Sequence, residues 1–149
     1  MTHASTAGEE VIRSFVQHEH RDLAAGIDHI HETACDLASL PADWMSSRLL
    51  EISHWVEHVL TPHMLWEEGW LLPQLDHRSQ TPWLARIVHF DHRQIARRAE
   101  ALGPDRIRLA HGPEREATAD ARCDLFALEA LLRAHLEREE QFLLPLLGD

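Results

Sequence analysis

The chain contains no tyrosine, so neither a phenolate ligand nor a tyrosyl radical can take part in its chemistry. Only two cysteines, Cys35 and Cys123, occur in 149 residues. That scarcity argues against a disulfide-stapled secreted scaffold, and the two thiols are expected to lie reduced in the core of a cytoplasmic protein. No apolar run approaches ~18 residues, the length a membrane-spanning helix needs. Met1 to Glu10 is small and polar and lacks the charged-then-apolar order of a signal peptide. No stretch alternates apolar and polar residues and none is of low complexity, so strands and disordered repeats are not expected. Acidic residues outnumber basic ones 25 to 14, a net charge of -11, which argues against nucleic acid or an anionic membrane as a partner. The length fits one domain spanning 1–149, large enough to bury a core.

Histidine, by contrast, is abundant, with 13 copies. Two of them sit in a repeat. His63-Met64-Leu65-Trp66-Glu67-Glu68 returns 72 residues later as His135-Leu136-Glu137-Arg138-Glu139-Glu140, and eight of the sixteen positions in 60–75 are identical in 132–147. Glu19-His20-Arg21 matches Asp91-His92-Arg93 at the same offset. His20 to His63 and His92 to His135 are therefore equal steps of 43 residues. Each half of the chain carries one lone His and then a His-x-x-x-Glu.

Four helices are predicted, an all-α chain. The first runs from about Gly8 to Ser39, with Ile12, Val16, Leu23, Ile27, Ile30, Ala34 and Leu37 on one stripe. Pro41 breaks it, and Asp43 is placed to cap a second helix that runs to about Leu75. Pro62 falls inside that helix, where it should remove a hydrogen bond and kink the rod. The third helix is expected from about Thr81, with Pro82 in its first turn, to Leu102, ended by Gly103-Pro104. A polar stretch then leads to Gly112-Pro113, and the fourth helix spans about Glu114 to Leu147. Each break lies halfway between two of the four repeated histidines. In an up-down-up-down four-helix bundle that spacing puts His20, His63, His92 and His135 at one height, roughly 30 Å from one end and roughly 20 Å from the other.

A His and a Glu four residues apart share one helix face, one turn from each other. Four imidazoles and two carboxylates converging on one level are too many ligands for one tetrahedral zinc. They suit two metal ions bridged by Glu67 and Glu139, each with two histidines, an oxo or hydroxo bridge and one open position. Mixed imidazole and carboxylate donors with an open site favour iron, a di-iron centre.

The ligand order differs from the ferritin-like pattern, in which two helices carry a lone Glu and two carry Glu-x-x-His. With its repeated ends, Glu67-Glu68-Gly69-Trp70-Leu71-Leu72-Pro73 and Glu139-Glu140-Gln141-Phe142-Leu143-Leu144-Pro145, the pattern resembles the hemerythrin-like HHE cation-binding domain family over about residues 12–147. The resemblance implies a duplicated helical hairpin folded as a four-helix bundle around a non-haem di-iron centre held by His20, His63, Glu67, His92, His135 and Glu139. The chain departs from the oxygen-carrying hemerythrins, whose third helix bears His-x-x-x-His and whose last motif ends in Asp. Here Val88 stands four residues before His92, and the fourth helix carries Glu139. The pattern is closer to the symmetric branch, which includes iron-centre repair and iron-sensing proteins.

Other polar residues read as support or surface. His89, three residues before His92, is either a fifth imidazole ligand or a polar residue on the helix face. Glu68 and Glu140 read as acceptors behind the ligands or as surface charges. His54 and His58 have Phe126 and Ala130 as counterparts and read as surface, as do His3, His77 and His111. His18 and His29 flank the first helix. His31 lies three turns from His20, roughly 16 Å away and too far to share the centre. Trp55, Trp66 and Trp70 should pack the core or shut out water, and Glu57 and Glu129 match across the repeat without an evident role.

The expected function is binding of a small oxidant or diatomic ligand, such as O2, NO or peroxide, in oxygen binding or stress protection. Iron-centre repair or peroxide consumption is the alternative. The repair relatives usually carry a further N-terminal cysteine-containing segment that this sequence lacks. Zinc filling a structural or storage site is a third possibility, and the expected state is a monomer or weak homodimer.

Overall fold

The structure is a computed structural model and describes residues 3–112 and 114–147, with side chains from residue 10 onward. His3 and Pro113, named above, thus lie partly or wholly outside the described residues. Among these residues there are four helical rods and no strand. The first rod is α1 (His3–Asp36), closed by a 3-10 turn at Leu37–Ser39. The second joins α2 (Ala42–Trp55), α3 (Thr61–Trp66) and α4 (Leu72–Ser79) through π turns at Val56–Leu60 and Glu67–Leu71. The third rod is α5 (Trp83–His111). The fourth is α6 (Arg115–Arg138), extended by a π turn at Glu139–Leu143 and a 3-10 turn at Leu144–Leu147. Each rod packs against the rods before and after it in the cycle, and the first closes on the fourth, as a four-helix bundle requires.

The stripe on the first rod behaves as its spacing predicts. Val16, Leu23, Ile27, Ile30, Ala34 and Leu37 are buried, and Ile12 is partly so. The core is two apolar clusters rather than one. The larger holds Leu23, Ile27, Leu49, Leu60, Ile95 and Leu132, among others. The smaller, towards the turn between the second and third rods, holds Val16, Leu71, Leu72, Leu75, Val88 and Leu143. Between them lies a layer of buried polar groups: His20, His63, Glu67, His92, His135 and Glu139.

Three local expectations are corrected. First, Gly103-Pro104 does not end the third helix, and α5 continues to His111. Leu102, Asp105 and Leu109 keep the three- and four-residue rhythm of its inner face and are all buried. A proline inside a helix costs ~3 kcal/mol, and burying Leu109 beyond it offsets about 1.5–3 kcal/mol of that cost. Second, Asp43 does not cap α2. Pro41 occupies the cap position without a side-chain bond, and Asp43 sits in the first turn, where its charge complements the helix dipole. Third, Cys35 and Cys123 are free but exposed, not core thiols. Cys35 follows the buried Ala34 by one residue, about 100° around the helix, which points it outward.

Pro62 lies within the second rod, and the α-helical ladder gives way to a π turn just before it. The residue before it, Thr61, bonds back five residues to Val56. Leu72, before Pro73, bonds to Glu67, and Leu144, before Pro145, bonds to Glu139 in the same way. Opening the turn by one residue moves the carbonyl that the proline ring would meet and absorbs the missing N–H. It also lets two consecutive leucines, Leu71 with Leu72 and Leu143 with Leu144, both face inward.

Candidate metal centre

Each rod delivers its share of the polar layer from one height. His20 comes from α1 and His92 from α5. His63 on α3 and His135 on α6 stand one turn before Glu67 and Glu139, which open the π turns Glu67–Leu71 and Glu139–Leu143. All six side chains are buried, none more than 4% exposed.

The two carboxylates lie at the middle. Glu67 Oε1 is 2.9 Å from His63 Nε2 and 4.0 Å from His20 Nε2, while its Oε2 is 3.1 Å from His92 Nε2 and 3.8 Å from His135 Nε2. Glu139 turns Oε2 to His20 Nε2 at 3.2 Å and Oε1 to His135 Nε2 at 3.7 Å. The result is two overlapping sets, His20, His63, Glu67 and Glu139, and Glu67, His92, His135 and Glu139. Within each set the donor atoms lie within 4.8 Å of one another, so each set could hold a metal ion. The ring pairs His20–His63 and His92–His135 meet edge to face, with centroids 5.5 and 4.9 Å apart.

The far ring nitrogens face carboxylates from the opposite hairpin or the neighbouring rod. His92 Nδ1 donates to Glu68 at 2.7 Å, and His20 Nδ1 donates to Glu140 at 3.2 Å. Glu68 and Glu140 are thus acceptors behind the histidines, one of the two roles their repetition suggested. His63 Nδ1 lies 3.7 Å from Glu19, and His135 Nδ1 lies 3.7 Å from Asp91. At His92 and His20 the proton kept on Nδ1 leaves the Nε2 lone pair aimed at the centre, which is how outer carboxylates orient metal-binding imidazoles, whereas Nδ1 of His63 and of His135 stands near its carboxylate without a hydrogen bond. The roles of Glu19 and Asp91 were missed in the sequence, although their repetition before His20 and His92 was the signal. Arg138, which pairs with Asp91, has no counterpart in the first half because position 66 is Trp66.

Charge in this layer is strongly coupled. Burial disfavours a charged ring at His20, but Glu139 and Glu67 outweigh it and raise its pKa to about 9. Burial likewise opposes ionisation of Glu67, yet the surrounding imidazoles of His135, His20, His63 and His92 hold it well below the usual carboxylate range. Glu139 moves the other way, raised by burial and by the neighbouring Glu67. Despite the short separations, none of the four Nε2 atoms or four carboxylate oxygens has a hydrogen-bond partner of correct geometry. Eight buried donor atoms aimed at one another without hydrogen bonds are costly for a protein alone. They fit a cation, which satisfies lone pairs from several directions at once.

The family comparison agrees. The model of the hemerythrin HHE cation-binding domain matches residues 11–147. The chain belongs to the hemerythrin HHE family. No curated protein and no solved structure matches the chain. Within this HHE fold the other histidines with described side chains fall outside both donor sets. His89 turns Nδ1 to Glu68 at 3.3 Å and leaves its side chain 41% exposed. His54 and His58 are exposed and touch each other, and His77 and His111 are exposed. His18 faces Asp22, His29 faces Glu51, and His31 pairs with Glu129. Glu129 thus gains a partner that its repetition had not suggested, while Glu57 is simply exposed. Trp55 packs on the larger cluster, and Trp66 stacks on Trp70 beside the smaller one, with Trp70 partly exposed. No helix is long and apolar enough to cross a membrane, among the described residues.

Proposed function

We propose that this HHE protein holds two iron ions and binds a small oxidant or diatomic ligand such as O2, NO or peroxide, in oxygen binding or in protection against oxidative or nitrosative stress. The observation that carries the reading is the pair of overlapping donor sets that share Glu67 and Glu139. His20 and His63 would hold one ion, His92 and His135 the other, and both glutamates would face both ions. Such a pair of irons supplies redox and ligand-binding chemistry that side chains lack. The chain's own contribution is to bind, orient and dry the site. Glu68 and Glu140 keep a proton on Nδ1 of His92 and His20, which presents Nε2 inward. Val16 and Val88 on one side, with Leu23 and Ile95 on the other, bracket the layer with apolar groups that exclude water. Four protein donors per ion leave room for an exogenous ligand.

The test is a visible spectrum of aerobically purified protein with iron and zinc counts, followed by addition of azide or NO. Two irons per chain and a spectrum that changes with the added ligand are expected. A colourless protein carrying zinc would instead make the centre structural or a metal store.

A further inference from the structure

A second constellation lies on the outer face of the bundle where the first and fourth rods meet, about three helical turns from His20 along α1. Cys35 Sγ is 3.5 Å from His31 Nε2, one turn earlier on the same helix. His31 Nδ1 is 2.9 Å from Glu129 Oε2 on α6. The other oxygen of Glu129 accepts from Arg133 Nε at 2.8 Å, and Arg133 in turn donates to Asp28 at 2.8 Å. Phe126 packs edge-on against the imidazole, with centroids 6.0 Å apart.

The order is thiol, imidazole, carboxylate, guanidinium, and each member limits the next. Arg133 fixes Glu129. Glu129 accepts a hydrogen bond from Nδ1–H and so sets the tautomer that leaves the Nε2 lone pair facing the thiol. This is the arrangement of a nucleophile, its base and the group that orients the base. We propose that Cys35 is a peroxide-reactive thiol, activated by His31 and Glu129, and that this surface is an oxidation site separate from the metal centre.

The chemistry balances with a hydroperoxide as the oxidant. His31 Nε2 takes the thiol proton, and the sulfur attacks one peroxide oxygen. The S–O bond forms as the O–O bond breaks. Sulfur is oxidised to the sulfenic acid, the peroxide is reduced, and the departing hydroxide takes the proton from His31 and leaves as water. The surroundings favour a small neutral oxidant. Cys35 is exposed rather than set in a closed pocket, and Asp28, Glu32, Asp36 and Glu129 outnumber Arg122 and Arg133, which leaves the neighbourhood net anionic. An anionic thiol or oxidant would be repelled, whereas hydrogen peroxide is uncharged.

The chain carries its own control. Cys123 is also exposed, and no histidine or carboxylate of this kind is paired with it among the described residues. The full-length, metal-loaded protein is treated with hydrogen peroxide and dimedone, and separately with iodoacetamide, and both thiols are followed by peptide mass mapping. Iodoacetamide is not an oxidant, so it separates thiol activation from any peroxide chemistry at the metals. Cys35 should react about tenfold faster than Cys123 or more, a modest share of what a positioned base can contribute. His31→Ala should reduce the Cys35 rate to that of Cys123, and Glu129→Gln should reduce it in part, with metal content unchanged. Equal rates for the two thiols in the unaltered protein, or a Cys35 rate indifferent to His31→Ala, would overturn the proposal.

Discussion

The first hairpin and the second present the same groups to the centre but brace them differently. In the second, Asp91 is only 14% exposed and is clamped by Arg138 behind His135, while Glu68 holds His92 at 2.7 Å. In the first, Glu19 behind His63 is 37% exposed and stands where no arginine corresponds to Arg138, and Glu140 holds His20 at 3.2 Å with half of its surface in solvent. The packing differs too. Gly26 on α1 lets Trp55 lie so close that an added Cβ would fall 2.1 Å from the indole. The corresponding pair in the second hairpin is Arg98 and Ala127. Inward-facing positions thus obey the internal twofold, while the groups behind them and the contacts outside are free to diverge.

The largest expected effect treats both halves alike. Removing metal leaves four imidazoles and two carboxylates buried without their cation. With metal at a thousand times its dissociation constant, each bound ion adds ~4 kcal/mol of stability, about 8 kcal/mol for two. Calorimetry of a chelated sample should therefore show a melting temperature lower by roughly 20 °C. A chelated protein that melts with the holo form would mean that the centre does not rest on metal.

Gly26→Ala breaks the first hairpin alone. In an open helix the change would stabilise by up to ~1 kcal/mol. Here the methyl group meets Trp55, and overpacking should cost about 1–3 kcal/mol instead. Arg98→Ala, at the corresponding place, removes only an exposed pair with Asp124 and should cost under ~1 kcal/mol. Chemical denaturation of the two variants checks the contrast.

The outer carboxylates sharpen the comparison at the centre itself. Asp91→Ala should weaken metal binding by about tenfold, the low end of the usual loss, because Asp91 lies near His135 Nδ1 without a hydrogen bond. Glu19→Ala should weaken it less, because Glu19 is more exposed and lacks the arginine clamp. Competition against a chromophoric chelator measures both. Equal losses would mean that the two halves are braced equally after all.

How far the sequence carried these inferences depends on what repetition can reveal. The offset of 72 exposed every residue that both hairpins share, and the midpoints between His20, His63, His92 and His135 located the first and third turns, while the second midpoint, at 77–78, fell inside α4 just short of the turn at residues 80–82. Pro62, Pro73 and Pro145 were visible, but the π turns before them were not, since a widened turn is a tertiary compromise between the proline ring and the adjoining buried leucines. Arg138 was invisible as a clamp because residue type does not disclose a partner on another rod. The cysteines were misplaced although the helical stripe was already known. Ala34 and Leu37 face inward, which leaves Cys35 outside, and Ala121 and Leu125 do the same for Cys123. Pro104 misled because a single strong breaker was weighed against a weak apolar pattern that Leu102 and Leu109 nevertheless sustain.

The smallest expected effect concerns His89, which has Gln17 as its counterpart. Its ring turns to Glu68 rather than to either donor set. His89→Ala should leave iron content and the azide-induced spectral change nearly as they were. Loss of one iron in that variant would make His89 a ligand and the two ions unequal in coordination.

The central claim is that Glu67 and Glu139 each serve two ions while each histidine serves one. Native mass spectrometry of iron-loaded Glu139→Ala and His92→Ala, beside the unaltered chain, tests it most directly. The account predicts two ions in the unaltered chain, one in His92→Ala and none retained in Glu139→Ala. Two full equivalents in Glu139→Ala would contradict it.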